Sequence, residues 1–253
     1  MSRSDTILPI YRILGVPVSA ATPKSVMSML RMWSKDPFGR YVCVRDVHGL
    51  MLARSDPHFM AVHEQAALVV PDGMPIAKLG KIRNYTVERT AGPDLMDQAL
   101  ADPEFSHFLY GGGEGIASTL RDKATERYPG VRIVGCETPP YRPLADREVR
   151  ELAKRIDASG ADLVWIGLST PKQEQLMHRL APHVGATLLG VGAAFDIHAG
   201  RMKRPPKWVQ DHAMEGIYRL IKEPRRLWYR YCVLAPQFVA LAAIEQLGGR
   251  WRA

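Results

Sequence analysis

Residues 162–174 read DLVWIGLSTPKQE, and this stretch changes character halfway along its length. The part from 162 to 168 is mainly apolar, which is typical of a buried β-strand. The remainder predicts a tight turn and then a helix that begins at Pro171, with the Thr170 side chain as its N-cap. A buried strand that leads directly into a helix is the repeating unit of α/β folds.

The same alternation extends along most of the chain. Further apolar runs that end in glycine, proline or a polar turn predict buried strands over residues 41–44, 67–70, 107–110, 131–135 and 186–192. Helical patterns lie between the strands, over residues 22–33, 113–128 and 145–160. Thr22 is the predicted N-cap of the first, and the last stops at Gly160. The sequence therefore predicts an α/β fold, with a Rossmann-like, mostly parallel sheet in a core of residues 1–200 and a basic helical appendage of residues 201–253.

The charge of the chain indicates an anionic partner. Its 253 residues carry a formal net charge of +8, and residues 201–231 contain nine Lys or Arg against three Asp or Glu. Nucleic acid, a membrane surface or a phosphorylated substrate would each attract such a chain. No recognised nucleic-acid-binding motif accompanies the charge, so nucleic acid is not an expected partner.

Other features of the sequence indicate a cytoplasmic protein. The chain has three cysteines, which lie far apart in the sequence and form neither a disulfide framework nor a CxxC metal motif. This cysteine usage suits a reducing compartment. The N-terminal stretch lacks the long apolar core of a signal peptide. The most apolar run near the C-terminus, residues 232–247, is interrupted by Pro236 and polar residues, and it is predicted to be too short to span a bilayer. We therefore expect a soluble chain, associated with a membrane only peripherally.

Polar or glycine-rich clusters follow four of the predicted strands, as VPDGMP (70–75), GGGEG (111–115), STPKQE (169–174) and GAAFDIHAG (192–200). Ligands of open α/β sheets bind beyond the carboxyl ends of the strands, so the four clusters are expected to meet in one cleft. Asp72 suits a general base there, although the tripeptide Pro-Asp-Gly taken alone favours a plain β-turn. The GGGEG cluster suits phosphate binding or simply a tight turn, and it is not a GxGxxG dinucleotide motif.

The cations near these clusters suit a phosphorylated ligand. STPKQE places an amide, Lys172 and free backbone N–H groups at a helix start, which suits a diphosphate or sugar hydroxyls, although ordinary helix capping gives the same pattern. Asp196 is followed closely by the cations Arg201, Lys203, Arg204 and Lys207. The histidines form no HxxxH or HxH pair, and no Asp-x-Asp is present. We therefore expect no metal site and no cofactor.

The tail is both basic and aromatic over residues 218–231, which read YRLIKEPRRLWYRY. On a continuous helix, Arg219, Lys222, Arg226 and Arg230 share one face. Such a face suits an anionic membrane surface or a phosphate-binding lid. A solvated basic face over a core-facing stripe has the same pattern.

The order of the motifs is more specific than any one of them. VVPDGMP, ERTAGPDLM, YGGGEG, GLSTPKQE, GVGAAFDIHAGRMKRPPKW and YRLIKEPRRLWYRY resemble, in this order, the WecG/TagA/CpsF family of bacterial glycosyltransferases, over about residues 10–235. The resemblance implies transfer of one sugar from a UDP-sugar to a saccharide on a polyprenyl diphosphate, with inversion and without an essential metal. The donor would carry an N-acetylmannosamine-type sugar, its uronic acid or glucose. The enzyme would lie peripherally on the inner face of the cytoplasmic membrane and serve cell-surface polysaccharide or teichoic-acid synthesis.

Matched positions imply roles for individual residues. Asp72 becomes the candidate general base, and Gln173 falls on the family's active-site glutamine. The predicted UDP-sugar-binding residues are Arg89, Gly92, Asp94, Gly111, Gly112, Thr170, Lys172, Gln173, Gly192 and Asp196. The predicted contacts to the lipid diphosphate or acceptor are Arg45, Asp46, His48, Arg204, Arg219, Arg225 and Arg226.

Two of these assignments have stated alternatives. The segment CVRDVH (43–48) departs from the Thr and Asn that the family often carries there, so no role of that Thr is transferred. Its residues Arg45, Asp46 and His48 are instead taken to reflect a different acceptor or donor. Asp196 is predicted to face the nucleotide cleft, with capping of its own turn as the alternative.

Two other functions remain open from the residues alone. One is a nicotinamide-dependent oxidoreductase, which the missing dinucleotide motif disfavours. The other is a basic membrane-binding module without catalysis. The sequence leaves open the donor sugar, the acceptor saccharide and whether the chain forms a homo-oligomer.

Overall fold

The computed structural model describes residues 8–206, 209 and 215–250. It begins with an antiparallel hairpin of two short strands, β1 (Ile10–Ile13) and β2 (Val16–Ser19). The two residues between them, Leu14 and Gly15, have φ values of 51° and 85°, and a type I′ turn requires a positive φ at both positions. The hairpin was not predicted from the sequence.

A parallel sheet of six strands forms the centre of the fold. The strands are β3 (Arg40–Arg45), β4 (Leu68–Pro71), β5 (Ser106–Gly111), β6 (Arg132–Glu137), β7 (Leu163–Gly167) and β8 (Thr187–Gly190). They lie in the order β4-β3-β8-β7-β5-β6, and every neighbouring pair is parallel. Each strand coincides with a predicted one, so the predicted fold class is confirmed.

Helices follow most of the strands. They are α1 (Pro23–Trp33), α2 (Val47–Ser55), α3 (Pro57–Glu64), α4 (Met74–Ile82), α5 (Gly92–Leu100), α6 (Ile116–Arg127), α7 (Asp146–Ser159), α8 (Lys172–Leu180), α9 (Ala194–His198), α10 (Glu215–Lys222), α11 (Pro224–Trp228) and α12 (Ala235–Arg250). As predicted, the Thr22 side chain caps α1, where it accepts a hydrogen bond from Ser25 N. Also as predicted, α7 ends at Gly160, whose φ of 67° suits a glycine at a helix C-cap.

The sheet is covered on both faces, because successive side chains of each strand point to opposite sides. On one face, Val164 and Leu188 belong to a core shared with the hairpin, α2, α3, α7, α8 and the C-terminal helix. On the other face, Trp165 and Leu189 belong to a core shared with α1, α5, α6 and α9. Burial on both faces explains why the strands are continuous apolar runs in the sequence.

The basic tail is not one continuous helix. Helix α10 ends at Lys222, and Glu223 has a φ of −136° and a ψ of 61°, which are not helical values, before Pro224 starts α11. A proline disfavours helical conformation in the residue that precedes it. The prediction of one shared basic face is therefore wrong, since Lys222 and Arg230 lie on separate helical segments.

The last helix is longer than the sequence analysis allowed. A continuous helix of 20 residues, Tyr229–Gly248, is long and apolar enough to cross a membrane by length and composition. It begins as a π-helical turn (Tyr229–Leu234) and continues as α12, so Pro236 does not interrupt it. A proline inside a helix crowds the carbonyl four residues earlier, and here that carbonyl, of Cys232, lies in the wider π turn. Length and composition fit a surface-lying helix equally well.

The predicted boundary at residue 200, between the α/β core and the basic appendage, stays a prediction.

Candidate active site

The carboxyl ends of β4, β3, β8, β7 and β5 line one edge of the sheet, because these strands are adjacent and parallel. The four polar or glycine-rich clusters predicted to converge all follow strands of this group. The strand order therefore confirms that they share one edge. The site is built from the connections that leave this edge.

Asp72 follows β4 directly and is held by its backbone. Its N–H donates to the carbonyl oxygen of Arg45 over 2.9 Å, and its own carbonyl oxygen accepts from Arg89 Nε over 2.7 Å. The Pro71 carbonyl accepts from Thr90 N over 2.7 Å, and Gly73 is the N-cap residue of α4. Pro-Asp-Gly is thus a strand-to-helix connection that presents a half-buried carboxylate at the edge of the sheet.

Arg45, the last residue of β3, is buried instead of facing the cleft. Its side chain is 1% exposed and forms an ion pair with Glu174 of α8, which is 0% exposed. The guanidinium also donates to the Val44 carbonyl over 3.1 Å and lies 5.9 Å from the Phe59 ring centroid. The ion pair accounts for Arg45 structurally, and its predicted contact with the acceptor stays a prediction.

The charges of this pair stabilise each other. Burial alone would raise the pKa of Glu174, but the Arg45 charge and hydrogen bonds from Gln173 and Arg45 outweigh it, so that the pKa lies below its ordinary value. Burial, followed by the Arg45 charge, lowers the pKa of His48, which is half-buried nearby. The site therefore holds an ionised Glu174 and a neutral His48 at neutral pH.

Gln173 and Thr170 both hydrogen-bond to Glu174. Gln173 Nε2 lies 2.9 Å, and Thr170 Oγ1 lies 3.0 Å, from the same carboxylate oxygen, Oε1. Helix α8 begins at Lys172 with Pro171 in the N-cap position, so the predicted capping by Thr170 is wrong. The Thr170 hydroxyl instead donates to the Glu174 carboxylate in the first turn of the helix. Gln173 is 4% exposed, and its Oε1 has no hydrogen-bond partner within the described part of the chain.

The glycines after β5 allow close packing between neighbouring strand ends. A Cβ on Gly111 would lie 2.5 Å from Gly167 Cα, and the Gly112 N–H donates to the Gly167 carbonyl over 2.9 Å. Gly112 also has a φ of 71°, which favours glycine. These contacts account for both residues structurally, and their contact with a UDP-sugar stays a prediction.

A residue predicted to bind the UDP-sugar pairs with a residue predicted to contact the lipid diphosphate or acceptor. Asp94, in the first turn of α5, forms an ion pair of 2.6 Å with Arg204. This pair ties the segment after α9 to the N-terminal end of α5. Gly92, the first residue of α5, approaches closely enough that a Cβ there would lie 3.4 Å from the Val191 carbonyl oxygen, next to the end of β8.

Asp196 lies inside the short helix α9, whose N-cap residue is Ala193. The Asp196 carbonyl oxygen accepts from the N–H groups of Arg201 and Met202 over 2.9 and 3.0 Å. The backbone, instead of a capping carboxylate, therefore closes this loop. Gly192, with a φ of 50°, makes the turn between β8 and α9. The half-buried Asp196 side chain follows the same edge of the sheet as the other clusters.

The appendage reaches the site through an ion pair between Arg230 and Asp46. Asp46 follows β3 and is the N-cap of α2, where its carboxylate accepts from Gly49 N over 2.8 Å. Sequence analysis grouped Arg230 with the basic tail but did not predict this contact. Arg225 is exposed on α11. The predicted roles of Arg219 and Arg226 concern side chains that lie outside the described residues.

The rim of the site also contains an aromatic residue that sequence reasoning missed. Tyr141, in the proline-rich loop after β6, is fully exposed, and the Lys172 ammonium lies 5.7 Å from its ring centroid. Because Lys172 is the first residue of α8, this contact brings the loop to the helix that carries Gln173. An aromatic residue between prolines in a strand-end loop was the available signal.

Within the described ranges, no group of three or more His, Cys, Asp or Glu side chains could hold a metal ion. The charged groups that this edge offers to a phosphorylated ligand are instead cations, among them Lys172 and Arg89. Independence from a metal stays a prediction of the sequence.

Comparison with known proteins agrees with the order of the motifs. The model of the glycosyl transferase WecG/TagA/CpsF family matches residues 11–252. An N-acetylglucosaminyldiphosphoundecaprenol N-acetyl-beta-D-mannosaminyltransferase from Bacillus spizizenii (strain ATCC 23059 / NRRL B-14472 / W23) is 30% identical over 194 residues, which cover 74% of this chain and 72% of the relative.

Proposed function

The chain belongs to the WecG/TagA/CpsF family of glycosyltransferases, and from this premise we propose that it transfers an N-acetylmannosamine-type sugar from UDP to a polyprenyl-diphosphate-linked saccharide. The name of the Bacillus relative supports both the sugar and the lipid carrier. Membership of a glycosyltransferase family sets aside the oxidoreductase and the non-catalytic module as alternatives. The product would enter the synthesis of a cell-surface polymer.

The observation that carries the proposal is the linkage of Asp72 and Gln173 through Arg45. The Arg45 backbone carbonyl accepts from Asp72 N, while its side chain pairs with Glu174, which in turn accepts from Gln173. A carboxylate and an amide are thus attached to one buried residue at the strand ends. This is an arrangement in which a base and a substrate-orienting group can act on the same sugar.

We assign Asp72 the role of general base. Its carboxylate takes the proton of the acceptor hydroxyl as that oxygen bonds to the anomeric carbon of the donor sugar. The bond from that carbon to the UDP phosphate oxygen breaks, and UDP leaves with the electron pair. Attack from the side opposite to UDP inverts the anomeric configuration.

The leaving UDP needs compensation for the negative charge that develops on it. The N-terminal end of α8 places the exposed Lys172 at the edge of the sheet. The dipole of a helix favours an anion at its N-terminal end. Lys172 and Arg89 supply the full charges, so the reaction as proposed needs no metal.

The C-terminal helix supports work at a membrane surface. Leu234, Phe238 and Ala242 form its buried stripe, whereas Val239, Ile244 and Leu247 are exposed on other sides. Trp228 and Tyr229, at its N-terminal end, are exposed as well. An apolar face with aromatic residues and neighbouring cations is typical of helices that lie in the membrane interface.

The far end of this helix is fastened to the body of the protein. Glu245 forms an ion pair of 2.6 Å with Arg83 and accepts from Leu14 N over 3.0 Å. A helix that crossed the bilayer would have to give up these contacts. We therefore propose that it lies along the cytoplasmic membrane surface, as a peripheral anchor.

The substitution Asp72→Asn tests the assignment of the base. Loss of a positioned general base typically lowers the rate by about 10²–10⁴-fold, so turnover should fall by that order while UDP binding, measured by thermal shift, stays close to the wild-type value. UDP-N-acetylmannosamine and a synthetic lipid-diphosphate N-acetylglucosamine serve as substrates. Asp122→Asn is the matched control, because Asp122 is an exposed carboxylate on α6. Turnover within a few-fold of wild type would remove Asp72 from the role.

A further inference from the structure

One oxygen atom gathers the polar contacts beneath the site. Oε1 of Glu174 accepts from Arg45 Nη2, from Gln173 Nε2 over 2.9 Å and from Thr170 Oγ1 over 3.0 Å. Arg45 comes from β3, and the other residues come from the segment that links β7 to α8 and from α8 itself. The carboxylate therefore ties the end of β3 and the segment after β7 to Gln173.

Stability alone gives a poor account of this ion pair. Both side chains are almost completely buried, and removing two charges from water costs more than an incompletely hydrogen-bonded pair returns. Within the described residues, Arg45 Nε, Arg45 Nη1 and Glu174 Oε2 have no hydrogen-bond partner. Apolar residues of similar volume often serve the fold as well as such a pair.

The pair does determine how the Gln173 amide is oriented. An ionised carboxylate only accepts hydrogen bonds, so the NH₂ group of Gln173 must face Glu174. The amide carbonyl oxygen then points the other way, where it has no partner within the described structure. It lies beside Gly192, where a Cβ would stand 3.5 Å from it, so the residue at 192 has no side chain that could cover this oxygen.

We propose that Arg45 and Glu174 are positioning residues, which hold Gln173 with its amide oxygen towards the cleft to accept an O–H or N–H group of the sugar substrate. Arg45 keeps Glu174 ionised, and Glu174 fixes the amide. The inference rests on the proposed function, because it assumes that a sugar occupies this edge of the sheet. It gives Arg45, which stands in the segment that departs from the family pattern, a role without direct contact to substrate.

The test replaces the pair by apolar residues in two backgrounds. The double variant Arg45→Met, Glu174→Met is expected to fold with a Tm close to that of wild type and to bind UDP within about threefold of wild type. Its kcat should fall by on the order of ten- to a hundredfold, because Gln173 no longer has a fixed orientation. In a Gln173→Met background, the same double change should cost no further turnover, since contacts that act through one residue are not additive.

A conservative variant separates positioning from packing. Arg45→Lys keeps a cation beside Glu174, so this variant should retain most of the wild-type turnover. If the double methionine variant does not fold, Arg45→Met, Glu174→Gln takes its place. That variant has no buried charge, and it should also lose turnover, because a neutral amide at 174 can face Gln173 with either its oxygen or its NH₂ group.

The outcomes distinguish this inference from the proposed function. Wild-type turnover in a folded double variant would overturn the inference, as would an equal loss of turnover with and without Gln173. A wild-type protein that transfers no sugar from UDP-N-acetylmannosamine to the lipid-diphosphate acceptor would overturn the proposed function itself. The inference would then fall with it.

Discussion

Replacing Val239, Ile244 and Leu247 with serine is expected to release the enzyme from membranes without unfolding it. These side chains of the C-terminal helix are 64%, 65% and 58% exposed, whereas Phe238 on the same helix is buried. Substitutions at exposed positions usually change stability by less than about 0.5 kcal/mol each. The fold should therefore tolerate all three.

The size of the effect follows from the apolar surface that a membrane would cover. Complete burial of a Val, Leu or Ile side chain is worth about 1.5–3 kcal/mol, and roughly six tenths of each of these three remains exposed. Together they should contribute roughly 3–5 kcal/mol to membrane binding. At about 1.4 kcal/mol per factor of ten, the triple variant should partition about a hundred- to a few thousand-fold more weakly.

Cosedimentation with phosphatidylglycerol-containing vesicles measures the partitioning directly. The matched control is Phe38→Ser, Val134→Ser, which removes exposed apolar side chains outside the C-terminal helix and should leave binding unchanged. High salt should weaken the remaining attraction of exposed Lys222 and Arg225 but not the apolar part. The reasoning is refuted if the triple variant still binds vesicles like wild type at high salt.

Three further predictions follow from the buried and paired charges. Burial lowers the pKa values of His63 and His107 to about 4; against an unfolded value near 6.5, only the unfolded state takes up these protons as the pH falls from about 6.5 to 4, so each residue should cost up to about 3 kcal/mol of stability over that window. Urea denaturation at pH 7.5 and 5.0 measures this loss, and His107→Gln should lose less than wild type between the two. Transfer should continue in EDTA, since the described residues offer no group that could hold a metal ion, and activity that returns only with Mg²⁺ or Mn²⁺ would contradict this. Arg230→Ala removes the ion pair with Asp46 and should speed amide hydrogen exchange in residues 229–248, whereas unchanged exchange would show that the pair does not hold the helix.

The strands of the sheet were predictable because burial on both faces makes them apolar throughout. The hairpin was not, because its turn uses Leu14, a residue type that seldom adopts positive φ. The break at Glu223 did have a signal, the following Pro224, which the assumption of one continuous helix overrode.

Some features of the candidate site could likewise be predicted from the sequence, and others could not. Asp72 and Gln173 could be placed at this edge of the sheet because they are polar residues that come just after apolar strands, where ligands bind in α/β folds. Their catalytic roles rest on the resemblance to the family and stay predictions. The partner of Arg45 could not, because Arg45 and Glu174 are brought together only by the packing of α8 against the sheet. A charged residue at a strand end suggests solvent or ligand, and nothing local in the sequence indicates burial. The same holds for Asp46, whose partner Arg230 lies 184 residues away.

The two attachments of the C-terminal helix indicate how the membrane and the cleft are connected under the proposed function. Arg230 fastens its first turn to Asp46 at the end of β3, and Glu245 fastens its last part to Arg83 and the hairpin. The exposed Val239 and Ile244 lie between these points, and Leu247 follows closely after Glu245. A lipid-linked diphosphate held at the membrane would therefore meet the protein beside the end of the helix that carries Arg230. Asp46 there lies close to the connection that holds Asp72, since a Cβ on Gly73 would be 3.9 Å from Asp46 Cα. The helix thus sets the distance of the base from the membrane, and a loosened helix should impair transfer to the lipid-linked acceptor more than UDP binding.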